Sequence, residues 1–328
     1  MSTLLNNETL EFLYYTQLQV DPEWSEFTPN GFRWWPDKNV QTIELIRQEH
    51  CPELGTACYF SIETELFHSL DLTDAQLQAI HALFMPFASM SCPVYDEGKK
   101  ILSLCSTARV YDHISKWMNP LISIAAAQQI GEARIVGPRL AENIGAEFAV
   151  SGHPANGIRP FPDELAELIA TLIAPEGKLP SKWSYADLVG FIGESLYKDD
   201  MLVESDFTQV TIKLPFKERS SYLMFQTNQP HPRYGNGLFV LQTFPVTCKT
   251  EEESLRLAML MNDFEIRQRI LGYGFGSYCI RDKGLHFVSF YPNFVYGLTK
   301  LTNLYYSAGV RSYFVESILD YDGRIIFG

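Results

Sequence analysis

The same succession of hydrophobic periods runs through this chain twice, and that repetition constrains its fold more than any other feature. In the second copy, Thr250 is followed three residues later by Glu253. This is the spacing at which a hydroxyl and a carboxylate satisfy each other's free backbone N–H groups at a helix start. Leu257, Met261 and Phe264 continue at core spacing. The same kind of start recurs in the first copy as Thr73 with Gln76, followed by Leu77, Ile80, Phe84 and Phe87. Both starts follow a set of alternating segments and precede two strands and a long helical tract.

The alternating segments predict strands, since side chains of a half-buried strand point in and out with period two. In the second copy these are 210–214, 222–226 and 238–244 before the central helix, and 278–281 and 285–291 after it. The last two are joined by Asp282-Lys283-Gly284. A helix over 184–198 opens the copy and one over 294–319 closes it. The first copy reads as a helix over 8–19, strands over 31–35, 40–47 and 57–66, the Thr73 helix, strands over 94–95 and 101–110, and a helical tract over 115–143. That tract weakens at Gly131 and breaks near Gly137-Pro138. The fold class is therefore α+β, with two similar halves in the order α-β-β-β-α-β-β-α, each an antiparallel sheet packed by helices. The expected domains are 1–150 and 184–328. Between them, 151–183 reads as a linker with a short helix over 163–173.

Composition limits the function. The chain of 328 residues has 46% hydrophobic and 13% aromatic residues, enough for two packed cores. A net charge of −13 repels phosphate backbones and anionic bilayers, so neither nucleic acid nor membrane is an expected partner. The same charge suits basic or amphipathic polypeptides. Cys51, Cys58, Cys92, Cys105, Cys248 and Cys279 are scattered, mostly in apolar runs, with no C-x-x-C pair, and read as buried thiols, not a disulfide framework. The opening MSTLLNNETLEF has neither a basic segment nor a long apolar core, and no apolar run is long enough for a bilayer, so the expected location is the cytoplasm.

No motif supplies a catalytic set. The glycines of Gly272-Tyr273-Gly274-Phe275-Gly276 follow a helix and precede a strand, the reverse of a phosphate loop. His50, Cys51 and Cys58 lack the second close pair of a zinc site, and His68 and His81 are isolated. His153 in SGHPANG and His231 in QPHPRYGNG stand in turn-forming loops, with no nucleophile elbow or orienting carboxylate at recognisable spacing. The acidic groups at Asp199-Asp200, Glu251 to Glu253, and Asp320 with Asp322 do not form a calcium loop. No catalytic, cofactor-binding or metal residue is assigned, no cofactor is expected, and no peptide-binding residue is readable. The abundant aromatics, among them Trp24, Trp34, Trp35, Trp117, Trp183, Tyr14-Tyr15 and Tyr305-Tyr306, give the one functional cue, because exposed apolar groups mark polypeptide-binding surfaces.

The duplicated order, with helix starts at Thr73/Gln76 and Thr250/Glu253, resembles the type III secretion chaperone-like fold, and YbjN-type bacterial proteins are similar. That resemblance implies an acidic, cytoplasmic, non-enzymatic protein in which two fused copies imitate a chaperone homodimer and hold a polypeptide client. The first copy departs from the pattern in its weak opening helix and in the interruption at Pro138. The alternative is an enzyme of unrecognised type, with a pocket between the halves lined by the loops of His153 and His231. A third possibility is an assembly protein that associates with itself.

Overall fold

The computed structural model describes residues 5, 7–173, 180–195, 201–268 and 273–326. It contains two antiparallel sheets. In the first half, strands β1 (Ser25–Thr28), β2 (Gly31–Trp34), β3 (Gln41–Cys51) and β4 (Gly55–His68) precede helix α2 (Asp74–Leu83); β5 (Cys92–Asp96), β6 (Ile101–Tyr111) and helix α3 (Ser115–Ile135) follow it. In the second half, β8 (Leu202–Ser205), β9 (Gln209–Phe216), β10 (Arg219–Gln226) and β11 (Gly237–Thr247) precede helix α7 (Glu251–Asp263); β13 (Ser277–Arg281), β14 (Gly284–Pro292) and helix α8 (Leu301–Ile318) follow. The strand orders match: β1-β2-β3-β4-β6-β5 in one sheet, β8-β9-β10-β11-β14-β13 in the other. The α+β class and the two similar halves are thus present.

Several details differ from the expected order. Each half carries one strand more, β1 and β8, both four-residue edge strands. Neither buries a residue fully, so neither shows the in-and-out alternation of a half-buried strand. Two-residue strands β7 (Glu147–Phe148) and β12 (Tyr273–Gly274) extend the first sheet by pairing with β4 and β6. The opening helix is α1 (Glu8–Glu11), capped by the Asn7 side chain and continued as a π-helical turn, Phe12–Gln17. The last helix does not start at 294. A 3-10 turn covers Asn293–Val295, Gly297 at φ +87° breaks the chain, and α8 begins at Leu301. The break before Pro138 is real: α3 ends at Ile135, and Pro138 stands in the first turn of α4 (Gly137–Ile144), where a missing N–H costs nothing. The opening helix of the second half is α6 (Tyr185–Ser195). Residues 196–198 of its expected span, Asp199-Asp200 and Gly272 lie outside the described residues.

The chain forms two compact units whose boundaries cross the expected ones. Unit 1 comprises Met1–Thr73, Ser91–Ile173 and Glu265–Phe275; unit 2 comprises Asp74–Met90, Ala174–Phe264 and Gly276–Gly328. Unit 1 therefore takes up most of the expected linker, including α5 (Glu164–Leu172), capped by Asp163. Each unit is also completed by a segment from the other half of the sequence. In unit 1, β12 pairs with Ala108 and Thr107 of β6, and Ile266 joins Cys92, Val94 and Cys105 in an apolar cluster. In unit 2, α2 packs on α7, and Nε2 of His81 accepts the Ile280 N–H at 2.8 Å. There the Ser89 hydroxyl also donates to the Phe290 carbonyl at 2.7 Å. The Thr250/Glu253 start forms as read, with Thr250 Oγ1 accepting the Glu253 N–H and the Glu253 carboxylate accepting the Thr250 N–H.

Large aromatics fill both interiors. Trp34, Tyr59, Phe60 and Phe67 are fully buried in unit 1; Phe216, Phe225, Phe290 and Tyr291 are fully buried in unit 2. Burying each is worth about 1.5–3 kcal/mol in transfer free energy. All six cysteines are free thiols, but only Cys92, Cys105 and Cys279 are buried as expected; Cys51, Cys58 and Cys248 are half-buried. No helix among the described residues is long and apolar enough to cross a membrane.

Candidate functional site

Both loop histidines turn out to build the same local structure. His153-Pro154-Ala155-Asn156-Gly157 and His231-Pro232-Arg233-Tyr234-Gly235 each close through two backbone hydrogen bonds between the histidine and the glycine, at 2.7–3.0 Å. Each glycine has positive φ, +72° and +68°, a conformation that costs a side-chain-bearing residue strain. In each turn the imidazole Nδ1 accepts backbone N–H groups, from Ala155 and Asn156 at 3.3 and 3.2 Å and from Arg233 at 3.1 Å. That leaves Nε2 as the protonated nitrogen. In His231, Nε2 donates to the Phe87 carbonyl at 2.7 Å. Burial pushes this imidazole down to about 3, with the Arg233 charge adding to the effect. The ring is a neutral structural cap. His153 is buried edge-on to the Trp35 ring at 4.8 Å, and its Nε2 has no hydrogen-bond partner among the described residues. His153 belongs to unit 1 and His231 to unit 2, and each serves its own unit.

The other residues considered from sequence are dispersed. His50 is exposed on β3, His68 pairs with Glu65 at 2.8 Å, and Cys58 accepts from the side-chain amides of Gln48 and Asn7. Glu251 to Glu253 occupy the first turn of α7, and the Asp320 carboxylate accepts the N–H groups of Asp322 and Arg324 in a turn. No group of three or more His, Cys, Asp or Glu among the described residues is arranged to hold a metal ion. A cleft of about 800 Å³ in unit 1 has a lining that includes Asn7, Glu8, Cys58, Asp112, Ser115 and Lys116; its Cys58 accepts from the Gln48 and Asn7 amides, and its Ser115 hydroxyl donates to the Asp112 backbone carbonyl.

The feature that sequence could not place is the exposed side of α8. Its inner side is pinned to the sheet. The Gln242 side-chain amide donates to the Ala308 carbonyl at 2.8 Å, and the Ser312 and Ser221 hydroxyls bond at 2.8 Å. The Arg311 guanidinium lies 3.5 Å over the Phe287 ring. These bonds fix the rotation of α8 about its axis, so the opposite side faces outward. There Tyr306, Val310 and Tyr313 stand at i, i+4 and i+7, exposed by 57%, 47% and 70%. Gly309 lies among them, and a Cβ built on it meets nothing within 4 Å. Three large uncharged side chains thus stand outward on α8, with open space over the glycine among them.

At its N-terminal end the stripe meets a cleft of about 400 Å³ between α6 and α8, whose lining includes Gly190, Phe191, Glu194, Thr299, Lys300 and Thr302. The buried Thr299 hydroxyl in that lining has no hydrogen-bond partner among the described residues. Thr302 lies one turn before Tyr306 on the same side of α8. Beside this cleft, Tyr185 and Val189 of α6 are also exposed.

In comparison with known proteins, no protein family, no curated protein and no solved structure matches the chain.

Proposed function

We propose that this protein is a non-enzymatic binder of another polypeptide, of chaperone or adaptor type, acting in the cytoplasm. The observation that carries the reading is the Tyr306–Val310–Tyr313 stripe on α8. Three large apolar side chains stand in water on a helix whose rotation is locked by bonds on its other side. Exposed apolar patches mark interaction surfaces, and tyrosine is among the residues that most often carry binding energy there. The net charge of −13 steers basic or amphipathic chains toward the molecule.

Peptide-display selection against the purified chain tests this. Selected peptides are expected to bind wild type and to lose at least tenfold in affinity on the Tyr306→Ala/Tyr313→Ala double variant, with the thermal midpoint unchanged. Failure to select any peptide, or peptides indifferent to both tyrosines, would contradict the reading.

A further inference from the structure

Strand β13 lies at one edge of the second sheet. An edge strand carries backbone groups that no neighbouring strand pairs, and folded chains cover such edges. Here two helices supply acceptors. Asn262 Oδ1, from α7, accepts the Tyr278 N–H at 2.7 Å, and Nε2 of His81, from α2, accepts the Ile280 N–H at 2.8 Å. An imidazole nitrogen accepts only while it carries no proton, so the second bond requires a neutral ring.

Helix α2 belongs to Asp74–Met90, the segment that unit 2 takes from the other half of the sequence. A second histidine holds the far end of this segment. The carbonyl of Phe87, in the 3-10 turn Met85–Phe87, accepts the His231 Nε2–H at 2.7 Å. His231 Nδ1 accepts the Arg233 N–H at the same time, so this ring too must be neutral: a proton on Nδ1 would meet that N–H directly. Between the two attachments Ile80, Phe84 and Met85 are buried.

We propose that the segment Asp74–Met90 is an acid-released cover over the β13 edge, held down by His81 and His231 only while both rings are neutral. Against His81, α7 presents Glu251, which favours the imidazolium; burial outweighs it and holds the ring below its ordinary value. The other charges of these elements are engaged elsewhere. Arg256 of α7 pairs with Asp74 of α2 at 2.6 Å and with Glu252 at 3.6 Å, and Glu253 accepts the Thr250 N–H. On β13, the Arg281 guanidinium lies over the Phe239 ring, and burial pushes the Cys279 thiol up to about 12. Around His231, burial and then Arg233 push the ring down to about 3. The Tyr234 and Phe290 rings flank it at 5.0 and 4.7 Å, and the 3-10 turn brings no ionisable side chain.

A released histidine takes up its proton at about pH 6.5. Below that pH the open form binds protons that the closed form excludes. The ratio of open to closed segment therefore rises as pH falls, by at most about tenfold per pH unit for each ring.

Hydrogen–deuterium exchange of the full chain at pH 7 and pH 5, corrected for the intrinsic exchange rate, tests the cover. Amides of residues 78–88 and of Ile280 are expected to lose at least tenfold in protection, while those of β10 and β11 in the same unit lose less than threefold. Glutamine can make the bonds of Nε2 in either role without titrating, so in the His81→Gln/His231→Gln double variant the loss in the segment should fall below threefold. Parallel loss in the segment and in β10 and β11 would mean that unit 2 opens as a whole and would overturn the proposal. So would unchanged protection of the segment at pH 5. If the double variant does not fold, this wild-type comparison decides alone. If it folds and keeps the full pH-dependent loss, the histidines are not the latch and the proposal falls.

Discussion

Helices α3 and α8 follow the same strands in their respective halves and end up in opposite surroundings. Both accept a buried glutamine amide on a backbone carbonyl, Gln41 on Ala126 at 2.9 Å and Gln242 on Ala308 at 2.8 Å. Around this shared device they diverge. α3 packs on β4 and β6, with Gln129 bonded to Thr64 and Ser106, and it is covered outside by α5. α8 packs chiefly on β9, with β10 and β11 beside it, and keeps an exposed outer stripe. One helix is interior and carries small residues such as Ala125, Ala126, Ala127 and Gly131; the other carries large exposed side chains, Tyr306, Val310 and Tyr313, on its outer side. Of two helices in matching places, one is thus covered by a further helix and the other keeps an exposed outer side.

Substitutions on the two helices should separate these roles. The largest effect is expected at Ile169, the α5 residue seated on Gly131. Ile169→Ala leaves a cavity in a buried contact and should cost about 3 kcal/mol in urea unfolding, near the middle of the range for such truncations. A comparable loss at Tyr313→Ala would mean that α8 is not the bare counterpart of α3. Next come the two glycines. Gly131→Ala places a methyl group against Ile169 and Ile173 and should cost about 1–3 kcal/mol. Gly309→Ala meets open space and should stabilise by up to about 1 kcal/mol through helix propensity. Opposite signs at two mid-helix glycines are the sharpest form of the contrast.

A pH-dependent effect belongs to the His231 turn. His231 is held neutral down to about pH 3 in the folded chain, while an unfolded histidine takes up its proton near 6.5. Below pH 6.5 the unfolded state therefore binds the extra proton, and stability is lost as pH falls toward 3, by up to about 1.4 kcal/mol per pH unit. His81 and His286, also lowered by burial, act in the same direction. Urea midpoints measured from pH 7 to pH 4 should fall less steeply in His231→Asn than in wild type. Parallel slopes would remove His231 from the account.

The sequence carried the tandem order well because hydrophobic period and capping chemistry are local. Thr250 with Glu253 needs only four residues to declare a helix start. The two-residue turn Asp282-Lys283, with φ of +49° and +65°, is equally local. The edge strands β1 and β8 were not legible, since Ser25-Glu26-Phe27-Thr28 and Leu202-Val203-Glu204-Ser205 lack the inward alternation that marks paired strands. Nor was the exchange of segments between units, because Ile266 and Ser89 look like ordinary loop-flanking residues until their partners Cys105 and Phe290 are known. The candidate face was hidden for a related reason. Tyr305 and Tyr306 are adjacent and chemically identical, and only the rotation of α8 decides that Tyr306 is the more exposed of the pair. The weakness read at Gly131 is in fact a seat for α5.

The central claim is that the outer side of α8 receives a polypeptide. A photo-crosslinking residue at Tyr313, compared with one at the exposed Lys213 on β9, tests it most directly when the chain is irradiated with a display-selected peptide. The account predicts a peptide adduct at position 313 that unlabelled peptide competes away, and little adduct at 213. Equal yields at both positions, or an adduct at 213 alone, would contradict it.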